Sequence, residues 1–192
     1  MDIDFQILEG IRKISNVTEN IYNKLSFKNN LTSLQLKILY FLYFKKKENI
    51  NIKRISKEAN LTLATISKSV KNLIKKGFLK TYQIDNNKKE KYLQLTEKSD
   101  NILQTLQKEI DKIINIINKS YKNNTEKYQT IEFLINIINK LLENGYIDKV
   151  SMCNLCVFYD ETRNYCKFLL KELDYKKIEC SDFIYKKYAQ KP

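Results

Sequence analysis

Apolar residues recur at helical spacing along most of the chain. Between Phe5 and Leu25, the residues Ile7, Ile11, Ile14, Ile21 and Leu25 form one stripe, with Arg12, Lys13, Glu19 and Asn20 between them. That spacing predicts an amphipathic helix. A second helix is predicted after Asn29-Asn30, capped by Thr32 and carrying Leu34, Ile38, Leu39 and Leu42 inward. Gln35 falls where it completes a capping box. Lys45-Lys46-Lys47 closes this helix with cations at the negative end of its dipole. Ile50-Asn51-Ile52 reads as a very short strand leading into a helix over Lys53–Asn60, with Ile52, Ile55 and Ala59 buried. After a tight break at Asn60-Leu61, Thr62 caps a helix whose inward stripe is Ile66, Val70, Leu73 and Ile74. Gly77 stands where a helix end calls for positive φ.

The period then shortens to two. Phe78–Ile84 and Lys91–Leu95 alternate as strands, and residues 85–89 make a polar, lysine-tipped turn between them. Two short helices followed by such a hairpin describe a helix-turn-helix with a β-wing. From Thr96 the helical period returns: Leu103, Leu106, Ile110, Ile113 and Ile117 form a seam. After a break at Lys122-Asn123-Asn124, Thr125 is expected to cap a last helix with Ile131, Leu134, Ile138 and Leu141 inward, ending at Asn144-Gly145. Isoleucine-rich helices outside the wing need a surface to cover them, and the N-terminal helix together with a second copy of the chain would do so. The expected architecture is mainly α with a small β-wing. Residues 1–30 form an N-terminal dimerisation helix, 31–96 a winged helix-turn-helix, 97–145 C-terminal dimerisation helices, and 146–192 a small cysteine-rich module.

Composition narrows the function. With 3 Gly and 1 Pro in 192 residues, long helices with short joints are expected. The net charge is +13, and residues 52–98 hold 12 Lys and Arg against 4 Asp and Glu. A basic excess gathered in one quarter of the chain suits a polyanion, with duplex DNA the foremost. The chain has no histidine, which removes imidazole acid–base chemistry, Ser–His and Cys–His nucleophiles and His-ligated metals. Neither a Gly-rich phosphate loop nor a paired-carboxylate motif is present, so no enzyme reaction is proposed. No run reaches the ~18 apolar residues of a membrane span. The N-terminus MDIDFQ is acidic, and a cytoplasmic location without membrane contact is expected.

From about residue 5 to residue 144 the sequence resembles the MarR family of regulators, most closely from Leu31 to Thr96. The family pattern ends its recognition helix with a Gly-aromatic/aliphatic pair, here Gly77-Phe78-Leu79, and begins the next helix with a Leu-Thr pair, here Leu95-Thr96. Its Asp-x-Arg wing turn falls on Asn87-Lys88-Lys89. Asn lacks the carboxylate that fixes an arginine, and Lys lacks the planar fork, so this wing is expected to touch phosphates rather than read sequence. The resemblance implies a homodimer on a double-stranded operator of two half-sites, with repression relieved by a signal. On such a fold Thr62, Ala64, Thr65, Ser67, Lys68 and Lys71 would face the major groove. Lys53, Arg54, Asn87, Lys88, Lys89 and Lys91 would hold the backbone.

All four cysteines fall in the last forty residues: Cys153-Asn-Leu-Cys156, Cys166 and Cys180. Clustering in one tail of a chain expected to be cytosolic points to metal binding rather than disulfides. A four-thiolate shell suits a [4Fe–4S] cluster or Zn²⁺. The two single, separated cysteines and the nearby Phe158, Tyr159, Tyr165, Phe168 and Phe183 favour the cluster. Zinc as a structural brace, with a small-molecule inducer, is the alternative. A redox or protein-interaction module that does not bind DNA is the alternative of another class.

Overall fold

A computed structural model describes residues 2–45, 49–84, 87–147 and 150–180, with the backbone alone for 87–89. The chain divides into two units, up to Ile116 and from Ile117. In the first, α1 (Ile3–Lys28) is capped by Asp2 and followed by α2 (Ser33–Phe44), α3 (Ile52–Glu58) and α4 (Leu63–Lys75). A hairpin of β1 (Leu79–Ile84) and β2 (Asn87–Leu95) leads into α5 (Glu97–Lys119), which runs across the division. The predicted capping box is formed: Thr32 accepts from Gln35 N–H, and the Gln35 side chain accepts from Thr32 N–H. Leu36, Leu39, Ile66, Val70, Leu73 and Leu106 are fully buried in one core, which Leu25, Ile55 and Leu103 extend. The fold is mainly helical with a small antiparallel wing, as the hydrophobic pattern predicts.

Several local expectations are corrected. Ile50 does not begin a strand. Its carbonyl accepts from Leu93 N–H at 2.8 Å, but the next residue, Asn51, turns away to cap α3 through Arg54 N–H. One bond forms and no ladder follows. Ala59 is exposed, because α3 is only seven residues long and ends there as its C-cap. Ile74 is also exposed, lying off the face that Ile66, Val70 and Leu73 turn inward. The wing turn is tighter than predicted: Ile84 pairs with Asn87, so Asn87, Lys88 and Lys89 lie in β2 rather than in the turn. Asp85 and Asn86 fall outside the described residues, as do Lys46 and Lys47. Of the N-terminal stripe, Ile7, Ile11 and Ile14 are exposed, and the packing on the core comes from Ile21 and Leu25.

The second unit contains α6 (Asn124–Glu143), a 3₁₀ turn at Cys153–Leu155 and a three-stranded antiparallel sheet of β3 (Tyr159–Asp160), β4 (Tyr165–Cys166) and β5 (Lys171–Glu172). Asn123, not Thr125, caps α6: its carboxamide accepts from Glu126 N–H at 3.0 Å, and the Glu126 carboxylate accepts from Lys122 N–H. Asn is the stronger cap, and the reciprocal bond fixes the register. Ile135 is the buried residue of α6, flanked by half-buried Ile131, Leu134 and Ile138, while Leu141 is exposed. No helix among the described residues is long and apolar enough to cross a membrane.

Candidate nucleic-acid interface and four-cysteine site

The turn between α3 and α4 presents the first turn of α4. Asn60 adopts φ +49°, a left-handed conformation that asparagine tolerates. Leu61 N–H donates to Ser56 O, and the Ser56 hydroxyl donates to Leu61 O at 2.6 Å. Thr62 accepts from Thr65 N–H at 3.2 Å, and the two threonine hydroxyls lie 2.9 Å apart. Thr62, Ala64, Thr65, Lys68 and Lys71 are exposed and Ser67 is half-buried, all on the side of α4 away from the core. Lys53 and Lys91 are exposed on α3 and β2. Arg54 is half-buried and its guanidinium pairs with Glu58 one turn on, at 2.9 Å, so its charge is partly committed within α3. The side chains of Asn87, Lys88 and Lys89 lie outside the described residues. Two neighbours of Thr62 escape sequence reasoning: Leu61 and Leu63 are exposed at 40% and 48%. The signal was available, since both leucines lie outside the inward stripe.

The far end of α4 is fastened to the start of α5. Gly77 takes φ +76°, and three successive carbonyls there accept side-chain donors. Lys98 Nζ bonds Lys76 O at 2.7 Å, Thr96 Oγ1 bonds Gly77 O at 2.6 Å, and Ser99 Oγ bonds Phe78 O at 2.5 Å. Lys98 also stands 4.7 Å from the Phe78 ring centre. Phe78 O also accepts from Thr96 N–H, so the C-cap of α4 and the two residues after it are all tied to the start of α5. The end of α4 and the start of α5 are thus joined by a polar seam.

All four cysteines line one narrow cavity in the second unit. Phe158, Tyr159, Phe168, Leu169, Leu173 and Lys177 complete the lining. Tyr165 instead lies against the Arg163 guanidinium at 5.6 Å, and Phe183 falls outside the described residues. Cys153 and Cys156 are buried, whereas Cys166 and Cys180 are partly exposed. The 3₁₀ turn places the first pair, with Cys156 N–H donating to Cys153 O at 2.9 Å. Lys177 N–H donates to Cys153 Sγ at 3.2 Å, and Cys153 N–H returns a bond to Lys177 O. Burial pushes the Cys153 thiol up, and the Lys177 amide opposes that shift. As the side chains stand, no group of three or more Cys, Asp or Glu among the described residues is gathered to hold a metal ion. The residue types nevertheless fit such a group: four thiols around an apolar, aromatic-walled space, one of them already taking an N–H···S bond.

The module rests on α6. Asn154 Nδ2 donates to Asn139 Oδ1 at 2.7 Å, and the rings of Tyr128 and Tyr175 lie 6.3 Å apart. Within it, Tyr159 OH bonds Asn164 Oδ1, and Asp160 takes bonds from Thr162 and Arg163. Those donors hold the Asp160 carboxyl well below the usual carboxylate range.

Residues 31–91 match the pattern of the MarR family. A curated relative, the HTH-type transcriptional regulator SarU of Staphylococcus aureus, is 27% identical over 120 residues, 61% of this chain and 49% of SarU. The chain therefore spans about half the length of the curated relatives it matches. A point mutant of MepR from a multidrug-resistant S. aureus clinical isolate has the same fold with a TM-score of 0.59 at 19% identity, covering 73% of this chain and 99% of that one. A MarR family transcriptional regulator from Listeria monocytogenes, solved in complex with 26mer DNA, gives 0.57 at 23% identity over 71% of this chain and 89% of that one. The family match covers about a third of the chain, and the solved structures share its winged-helix fold.

Proposed function

We propose that this protein is a homodimeric, DNA-binding transcription regulator, not an enzyme, whose operator affinity responds to a [4Fe–4S] cluster held by Cys153, Cys156, Cys166 and Cys180. The observation that carries the first part is the exposed, lysine-flanked face of α4 on a fold whose Listeria counterpart is solved on DNA. Lys53, Lys68, Lys71 and Lys91 supply charge for phosphates, and Thr62, Ala64, Thr65 and Ser67 approach base edges. The exposed Ile7, Ile11 and Ile14 of α1 and Ile114, Ile116 and Ile117 of α5 offer the apolar surface that a second copy would cover.

The observation that favours a cluster over a single ion is the cysteine spacing together with the aromatic wall. Cys166 and Cys180 stand singly rather than as the second close pair common in zinc ribbons, and Phe158, Tyr159 and Phe168 wall the space with apolar rings that would shield a cluster. When bound, such a cluster supplies a group that dioxygen, nitric oxide or peroxide can oxidise and dismantle. The residues do the rest. The Cys153–Lys177 backbone pair ties the far end of the module to the Cys-x-x-Cys turn, and Asn154 and Tyr175 seat it on α6. Releasing the thiolates frees the module and removes that support from α6. The seam of Thr96, Lys98 and Ser99 makes the orientation of α5 and that of the recognition helix one variable.

The test is anaerobic purification of the full chain, with its visible spectrum, its iron, sulfide and zinc content, and duplex binding across a salt series. A brown protein with matching iron and sulfide, whose DNA affinity falls steeply with salt and changes on air exposure, supports the whole reading. One zinc per chain without iron removes the redox part and leaves the regulator. A flat salt response removes DNA binding.

A further inference from the structure

We infer that the first turn of α4 reads thymine methyl groups, with Leu63 the specificity-determining side chain and A·T-rich half-sites the preferred duplex. This inference rests on the DNA-binding reading above. Guanine is most often read by Arg or Lys and adenine by Asn or Gln, through paired hydrogen bonds in the major groove. From Leu63 to Ser69 the helix contains no Arg, Asn or Gln, and Lys68 is its sole long polar side chain. The two threonines of this turn are partly spent on each other: Thr62 caps Thr65 N–H and its hydroxyl lies 2.9 Å from that of Thr65.

What the turn does offer is apolar. Leu63, the first residue of the helix, is 48% exposed, Leu61 just before it is 40% exposed, and Ala64 is exposed beside them. A single exposed leucine on a protein surface is ordinary. Here two leucines flank the helix cap of the element placed to enter the groove. The loop that carries Leu61 is closed at both its N–H and its C=O by Ser56, which presents the side chain on a fixed backbone. The one apolar group that a base pair shows in the major groove is the thymine methyl. Lys68 and Lys71, one and two turns further along, are placed for phosphates and add affinity without choosing a base.

The experiment uses the anaerobically purified full chain. Duplexes are selected from a random library, and binding to the selected duplex is compared with the same duplex carrying deoxyuridine for thymine, which removes only the methyl groups. Selected half-sites rich in A·T are expected. Affinity should fall about four-fold per contacted methyl on replacement by deoxyuridine. Leu63→Ala, at an exposed position where folding is unaffected, should bind the thymine duplex more weakly and bind both duplexes equally. Wild-type protein that binds thymine and deoxyuridine duplexes equally, with its salt dependence intact, overturns this inference and leaves DNA binding standing. So do G·C-centred selected sites, or a Leu63→Ala variant that still discriminates. Failure to select any duplex removes both readings.

Discussion

The winged helix and the cysteine module are stabilised by different means. The first unit places Leu36, Leu39, Ile66, Val70, Leu73 and Leu106 out of contact with water altogether, in a continuous aliphatic core drawn from α2, α4 and α5. Among the described residues, the module buries Met152, Cys153, Cys156, Tyr159 and Leu173, and its strands are two residues long. So small a core cannot offset the entropy of ordering the chain around it, and short strands alone add little. A piece of this size usually needs a staple, and four thiols around one cavity are suited to be one. The difference teaches that one chain can join a unit held by its own aliphatic core to a second whose small core leaves more for a staple to do. On the reading proposed above, the signal would act on the second.

The largest expected effect lies in the module. With the proposed cluster bound, Cys153→Ser, or stripping that cluster, should leave residues 150–180 open to protease while residues 2–45 and 49–84 resist. Mass spectrometry of limited digests reads this directly. Equal resistance of the module with and without metal would show that it folds on its side chains alone. The second effect is the reciprocal one. Leu39→Ala removes a fully buried side chain from the first unit and should cost about 2–5 kcal/mol in urea unfolding, with the metal content per chain unchanged. A fall in metal content alongside stability would show that the two units fold as one.

Much of the first unit is legible because its residues interact through periods that a sequence displays. Ile66, Val70 and Leu73 are spaced as one helical face, Thr32 and Gln35 as a capping box, and Gly77 as a helix stop, and each takes the predicted place. What fails depends on partners distant in the chain or on helix length. Ile50 has the pattern of a strand, but Asn51 is drawn into capping α3. Ile74 has the spacing of an inward residue, but the core lies on the other side. The Lys98, Thr96 and Ser99 bonds to the end of α4 join segments about twenty residues apart, and no local pattern announces them. In the module, the cysteine spacing is legible and most of the aromatic wall is too. Tyr165 is not, because the nearby Arg163 guanidinium claims its ring. Leu61 and Leu63 lie beside a cap and outside the stripe, a signal that a search for inward faces alone passes over.

A smaller effect distinguishes the two kinds of cation on the winged unit. Lys68 is exposed, whereas Arg54 is paired with Glu58. Lys68→Ala should flatten the slope of log affinity against log salt by about 1 for each phosphate left without its cation. Arg54→Ala should change it less, because its charge is already partly neutralised within α3. Titrations of a fixed duplex over a salt series measure both. Equal changes would mean that DNA binding draws Arg54 away from Glu58.

The smallest effect returns to the module and asks how much of its hairpin stands without metal. Asp160 closes the β3–β4 turn by accepting from Thr162 N–H, from the Thr162 hydroxyl and from Arg163. Its carboxyl sits below its ordinary value of 3.8 because those donors favour the charged form. A group whose pKa is lowered by folding stabilises the fold above its unfolded value, and that stabilisation is lost as pH falls through the folded value. The turn should therefore loosen below about pH 4, and Asp160→Asn should reproduce the loosening at neutral pH. Because the carboxylate is only half-buried and its Arg163 partner is exposed, water screens part of the benefit and the change should be slight. Amide exchange at Thr162 and Cys166 reads it most directly. Strong acceleration in the metal-free protein and none in the loaded one would show that the metal, rather than the turn, holds the hairpin. Equal acceleration in both would make Asp160 an independent brace, and the module's fold would then be less conditional than its small core implies.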